Sequence, residues 1–325
     1  MQRAGSMTAW KCRARLASLA LAALVIVPPA FAQKPTTTKP AAAKPVAATT
    51  TLDRIRQTAR IRLGYRTDAR PFSFAESGKA AGFSVALCQN VANAVKAELG
   101  LNALTVEWVP VTLEDRFLAV QQARVDLLCG ADTRTLARMK EVAFSTSIFP
   151  GGIGALVRSD APARLKDVLN ARKAATQPNW RASSIQMLQT QIFSVISGTT
   201  AETWVNGKKQ EFKLASKVVP VDGYAAGVQQ VLDRKANVFF GDRAILLDAA
   251  ARNPSAGNLL VLERLFTYEP TALVFARGDD DFRLLVDRTL SGLYGSGQIL
   301  PLYKEWFGVP DASTIAYFRW NTVPE

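Results

Sequence analysis

The chain has 325 residues, with 40 Lys and Arg against 27 Asp and Glu, no histidine, and a formal net charge of +13 at pH 7. The absence of imidazole excludes a Ser-His-Asp triad, a histidine zinc site and a histidine general base. At 48% hydrophobic and 21% charged residues the composition is ordinary for a globular protein, and its basic residues are scattered among acids rather than gathered with aromatics, so nucleic acid is not an expected partner.

Lys11, Arg13 and Arg15 precede an apolar run from Leu16 to Val27, which Pro28, Pro29 and Ala30-Phe31-Ala32 close. A membrane span needs about 20 apolar residues, so this order predicts a signal peptide over 1–32, cleaved after Ala32, with an uncleaved anchor as the alternative. Cys12 leaves with that peptide. Residues 33–50 are almost wholly Pro, Thr, Ala and Lys and predict a disordered tether. Removal of Arg3, Lys11, Arg13 and Arg15 lowers the charge by four to +9, and the three tether lysines account for three more, leaving +6 on the body. That surplus suits an acidic ligand or an anionic surface and requires neither. The body, 51–325, is about twice the usual domain size and predicts two lobes with separate cores. It contains no segment long and apolar enough to cross a membrane.

Within the body, Leu52 to Thr58 reads as a helix and Ile61 to Tyr65 as a strand. After a turn at Ser77-Gly78, the stretch from Ser84 to Leu99 is amphipathic, with Val85, Cys88, Val91, Ala92 and Val95 on one face. Leu104 to Val109 is the next strand. Thr112, with Asp115 three positions on, predicts a capping-box start for a helix reaching Gln122, and Val125 to Cys129 follows as a strand. Strands over Gln191 to Ile196, Lys217 to Val221 and Asn237 to Phe240 each precede a helix (Thr200 to Trp204, Tyr224 to Leu232, Ala244 to Ala251). Thr271 to Ala276 reads as a returning strand and Asp281 to Tyr294 as a helix, and a short last helix ends at Trp306-Phe307-Gly308. This alternation predicts an α/β protein with mainly parallel sheets flanked by helices, binding its ligand at the carboxyl ends of the strands.

Two cysteines remain in the body, Cys88 and Cys129, too far apart in sequence for zinc-finger spacing. In an exported chain such a pair reads first as a disulfide, with two buried thiols as the alternative. Cys88 at the start of the long helix and Cys129 at the end of a strand would lie near one sheet edge.

The segments together carry a specific resemblance. Gly64-Tyr65-Arg66 precedes Pro71-Phe72-Ser73-Phe74, and Gly82 to Cys88 opens a helix. Val125 to Gly130 is followed by Thr133, Arg138 and Phe144-Ser145, then by Ser197-Gly198-Thr199-Thr200, Phe240-Gly241-Asp242 and Tyr303 to Gly308. In order and spacing the chain resembles the family 3 extracellular solute-binding proteins, amino-acid receptors of ABC importers, and within them the glutamate/aspartate-binding branch. The resemblance implies a two-lobed periplasmic-binding-protein fold with lobe 1 from 51–153 and 274–325, lobe 2 from 154–273, and a two-strand hinge crossing near Gly152 to Arg158 and Glu269 to Ala276. It further implies hinge closure around an amino acid, delivery to a membrane permease, a monomer, and no cofactor.

The same resemblance assigns the site. Arg138 stands where the family holds the α-carboxylate with a fixed, bidentate guanidinium. Thr133 offers a hydroxyl and an amide beside it, and Gly130 a close backbone approach. Thr199 and Thr200 open a helix whose free amides favour an anion. Asp242 matches the family's partner for the ammonium; a helix N-cap is its other reading, and both roles are compatible. Arg66 and Arg116 carry the preference for an acidic side chain, because three arginines facing one cleft would repel each other unless the ligand brought more than one carboxylate; a place on the lobe surface is the alternative. Ala131 and Leu113 stand where the branch has hydroxyls. Residues 176–190 read as a surface excursion, or as a shield that brings Trp180 over the cleft. The rival function is an exported dehydratase on the same fold. It would need a general acid, and no glutamate is expected at the cleft positions.

Overall fold

The computed structural model describes residues 50–171 and 186–324. The expected signal peptide and the tether up to residue 49 lie outside the described residues, as does the excursion from 176 to 185. Thr50, counted with the tether, instead caps the first helix, α1 (Thr51–Thr58), by accepting from the Asp53 amide at 3.2 Å.

Two five-stranded sheets organise the described chain. The first contains β1 (Arg60–Arg66), β5 (Thr105–Val111), β6 (Leu127–Thr133), β7 (Ala143–Gly151) and β13 (Glu269–Phe275), in the order β5-β1-β6-β13-β7. β5, β1 and β6 are parallel, and β13 runs antiparallel to both neighbours. The second contains β8 (Ile153–Arg158), β9 (Ile192–Ile196), β10 (Lys217–Val221), β11 (Val238–Asp242) and β12 (Leu259–Val261), in the order β10-β9-β11-β8-β12. Here β10, β9 and β11 are parallel, and β8 runs antiparallel to both its neighbours, β11 and β12. A small antiparallel sheet of β2 (Asp68–Ala69), β3 (Ser73–Glu76) and β4 (Lys79–Ala81) stands beside the first.

β6 is buried along nearly its whole length, as a parallel strand covered on both faces must be. One face of its sheet carries α2 (Phe83–Glu98) and the C-terminal helices α8 (Asp280–Gly295), α9 (Ile299–Phe307) and α10 (Ala312–Trp320), whose Phe282, Leu290, Ile299 and Phe318 join Leu87 and Val91 in one core. The opposite face packs Val125, Leu128 and Val274 against Ala119 and Val120 of α3 (Arg116–Gln121). The second sheet likewise has two cores, under α4 (Ala163–Leu169) and α5 (Thr200–Glu211) on one side and under α6 (Tyr224–Leu232) and α7 (Arg243–Ala251) on the other. These are two lobes, each with its own sheet and cores.

The chain changes sheet twice, at Gly152 between β7 and β8 and again between Val261 and Glu269. At the first change a Cβ on Gly152 would stand 2.2 Å from the Thr267 carbonyl oxygen, so only glycine lets the two connections run side by side.

Several elements depart from the sequence reading. The long helix begins at Phe83, and α3 begins at Arg116 rather than Thr112. The reciprocal Thr112 and Asp115 hydrogen bonds do form, but they close the turn ahead of the helix. α5 runs to Glu211, past the Trp204 end expected for it. β2, β3, β4, β7, β12, α4 and α10 were not anticipated. Cys88 and Cys129 are bridged, with Cα atoms 6.1 Å apart and both side chains fully buried, so the disulfide and not the pair of thiols is the outcome. None of the described helices is long and apolar enough to cross a membrane.

Candidate functional site

Parallel strands end on one edge of each sheet, and the polar side chains of interest leave from those edges. Arg66 is the last residue of β1, Arg116 opens α3 after β5, and Thr133 ends β6, with Arg138 in the 3-10 turn that follows it. From the second sheet, Thr199 and Thr200 open α5 after β9, Tyr224 opens α6 after β10, and Asp242 ends β11. All of these line one cavity between the sheets, together with Asp132 and Glu269. The space between these side chains amounts to ≈ 610 Å³, part of it open to solvent. Among the described residues no cluster of three potential metal ligands occurs.

Seven of the eight expected ligand residues therefore come together, and the surface alternative for Arg66 and Arg116 falls, since they are only 7% and 5% exposed. Gly130 is the correction. It is not a wall of the cavity; its carbonyl accepts from Ser84 Oγ at 2.8 Å, and a Cβ there would meet Asp132 Oδ2 at 2.3 Å. Glycine is needed to make room for a neighbouring carboxylate, not for the ligand.

That carboxylate changes the electrostatics expected of the arginines. Asp132 Oδ1 accepts from Arg116 Nε at 2.6 Å, and Arg116 also donates to the Leu113 carbonyl. Asp68 takes Arg66 in a bidentate pair, at 2.7 Å from Nε and 2.8 Å from Nη2. Burial works against the Arg66 charge, but the Asp68 contact, with Asp132 nearby, holds that guanidinium above its ordinary value. The expectation that these arginines repel one another until a ligand compensates them is thus corrected: two of the three already have acids. A guanidinium cannot leave water without a counter-charge, and here the same lobe supplies it.

Arg138 differs. Its Nη1 donates to the Thr133 carbonyl at 2.9 Å, and it has no carboxylate hydrogen bond among the described residues. Burial, and then the charge of Arg116, lower its proton affinity. The Phe117 ring lies 4.1 Å from the Arg116 guanidinium carbon and 5.4 Å from that of Arg138, so its π face serves both cations.

On the other wall, Asp242 has both roles its sequence allowed. Its Oδ1 accepts from the amides of Ala244 and Ile245 at 2.9 and 3.2 Å, capping α7, and Oδ2 has no hydrogen bond among the described residues. Desolvation pushes its carboxyl up to about 6 against the two cap amides, and the charge of Glu269 adds to the rise. The buried Tyr224 hydroxyl accepts from the Asp242 amide at 3.3 Å, and burial raises its own proton affinity strongly. Thr199 spends its hydroxyl on the helix cap, accepting from Glu202 N at 3.3 Å and donating to Ile196 O at 2.6 Å. Its neighbour Thr200 points its hydroxyl at Glu269 Oε2, 2.6 Å away. Leu113 and Ala131 are apolar walls where hydroxyls were expected.

Glu269 overturns the expectation of a cleft without glutamate. It lines the cavity at the start of β13, where the chain has just returned from the second sheet. Nothing local in its sequence marks it, since only the return crossing carries it to this edge. Asp132 adjoins Thr133 in β6, so its place in the sequence alone could have marked it.

The chain is 29% identical over 264 residues to the L-glutamate/L-aspartate-binding protein of Pseudomonas aeruginosa, covering 81% of each chain. It is 26% identical to the glutamate/aspartate import solute-binding protein of Escherichia coli, covering 81% of this chain and 82% of that one. Among solved structures, the ancestral amino acid-binding protein AncCDT-1, a precursor of cyclohexadienyl dehydratase, superposes with a TM-score of 0.64 at 25% identity, over 79% of this chain and 99% of that one. The family model of the bacterial extracellular solute-binding proteins, family 3, matches residues 61–309, and this chain belongs to that family.

Proposed function

We propose that the protein is the periplasmic substrate-binding component of an amino-acid ABC importer, which closes on glutamate or aspartate and hands it to a membrane permease. One observation carries the reading: Arg138 from the first lobe and Asp242 from the second line one cavity, and neither makes an ion pair among the described residues. An α-amino acid is the small molecule that supplies both counter-charges at a fixed short spacing. Its α-carboxylate goes to Arg138 and Thr133, and its ammonium to Asp242. Arg66 and Arg116, held by Asp68 and Asp132, are aimed for a side-chain carboxylate, and the similarity to glutamate/aspartate-binding proteins supports that choice. Lobes of 51–153 with 274–325, and of 154–273, would hinge about the connections at Gly152 and 262–268. The protein acts as a monomer, exported by its N-terminal signal. A thermal-shift screen of the purified protein against the common amino acids, followed by calorimetry, is expected to single out glutamate and aspartate; stabilisation by none of them would refute the reading.

A second reading, a dehydratase on this fold, is favoured by the half-buried Asp242, whose value of about 6 suits a proton donor. Incubation with a cyclohexadienyl carboxylate, followed by its ultraviolet spectrum, separates the two: we expect no aromatic product.

A further inference from the structure

Glu269 is the one cavity residue that holds both walls at once. Its Oε2 accepts from Thr133 Oγ1 of the first lobe at 3.2 Å and from Thr200 Oγ1 of the second at 2.6 Å. Its Oε1 accepts from Thr267 Oγ1 at 3.0 Å, and that hydroxyl accepts from the Ile153 amide, also at 3.0 Å, so the carboxylate is positioned by both chain connections between the lobes. Thr133 and Thr200 are the hydroxyls a bound carboxylate would use. Three hydroxyls donate to Glu269, whose carboxylate thus stands in the position of an anion already in the site.

We infer that Glu269 is a specificity-determining residue, which competes with a ligand's carboxylate for Thr133 and Thr200 and so rejects any anion that does not bring a cation with it. The inference rests on the amino-acid reading above. An incoming carboxylate that takes these hydroxyls displaces Glu269 into a cavity that already contains Asp242. A zwitterion compensates this, because its ammonium can sit between the two carboxylates. A dicarboxylate without the amine cannot, since it adds negative charge beside two acids and offers neither a partner. Discrimination of this kind works by a repulsive element, and no contact to the preferred ligand has to be gained.

The test compares wild type with Glu269→Gln, which keeps the shape and removes the charge, by calorimetric titration with L-glutamate and with glutarate at pH 7.5. Wild type is expected to bind glutamate and to reject glutarate; in Glu269→Gln the glutarate affinity should rise about tenfold or more, so that the selectivity for glutamate collapses. Retained selectivity in a folded variant overturns the inference, and so does a parallel loss of both ligands, which would make Glu269 a plain ligand contact. Small-angle scattering without any ligand reads the bridge directly. Because Arg70 of the first lobe also pairs with Asp248 of the second at 3.3 Å, the comparison is made in an Arg70→Ala background, where adding Glu269→Ala should enlarge the radius of gyration and an unchanged value refutes the bridge. If wild type binds no amino acid, the functional reading fails, and the scattering still decides whether Glu269 ties the lobes.

Discussion

The two lobes stabilise charge at their shared cavity by different means. The first uses side chains against side chains: Arg66 on Asp68 and Arg116 on Asp132, with Phe117 under two guanidiniums and the Cys88–Cys129 bridge tying α2 to β6 behind them. The second uses backbone: two helix N-termini, one capped by Thr199 and one by Asp242, present amides and no cation. A wall of ion pairs, one fully buried and one with its acid at the surface, carries its own compensation, whereas a wall of helix ends has partial charges that a ligand can complete. The difference suggests that the first lobe is the preformed half of the receptor and the second the half that responds.

The largest effect should come from removing what makes the first lobe rigid. The disulfide closes a loop of 41 residues and should contribute ~4 kcal/mol. Denaturant unfolding with and without reductant should show a loss of that order, and a loss under ~1 kcal/mol would remove the disulfide from the account of this lobe's rigidity. Next in size is the unpaired cation: Arg138→Ala should weaken every amino acid by about 100-fold, because all share the α-carboxylate. Titration of that variant with glutamate, aspartate and glutamine checks this, and undiminished binding would break the contrast at its centre.

The responsive wall should yield smaller effects. Asp242→Asn keeps the α7 cap, for asparagine caps as well as aspartate, but loses the charge, and should weaken glutamate by about tenfold. It should also change the pH profile. Asp242 binds its proton more tightly in the folded protein, at about 6 against an ordinary value of 3.8. The folded state therefore holds the extra proton between about 4 and 6, and the stability this group contributes is full below that window and declines as pH rises through it. Glutamate binding should run the other way, tightening as pH rises past 6, because the ammonium needs the ionised form. The groups facing Asp242 are Glu269, the two cap amides and Tyr224, none of them a cation. Melting temperatures from pH 4 to 8, with wild type sloping across the window and Asp242→Asn flat, would sharpen the point.

What was legible in the sequence was local or periodic. Alternating strands and amphipathic helices follow from which side chains can be buried at spacings of two and 3.6, and the edge where parallel strands end follows from that order. Arg138, Thr133, Thr200 and Asp242 were named through the resemblance to the solute-binding family, and each stands just after such a strand or at a helix start. β7 and β12 were less legible, because strands at a sheet edge owe their pairing to partners distant in the chain. The compensating acids were beyond a residue-by-residue reading as well. Asp68 and Asp132 are ordinary surface-type residues until folding buries a guanidinium beside them, and Gly130 resembles a ligand-approach glycine until Asp132 fills the space above it. Glu269 depends most on the tertiary structure. It is more than 60 residues from Thr200 and more than 130 from Thr133, and only the chain's return to the first sheet sets one carboxylate against hydroxyls of both lobes. The sequence by itself determined which elements form and which edge faces a ligand, because burial acts on local pattern; the tertiary structure decided how the charges on that edge are balanced, because Coulomb partners are chosen by distance in space.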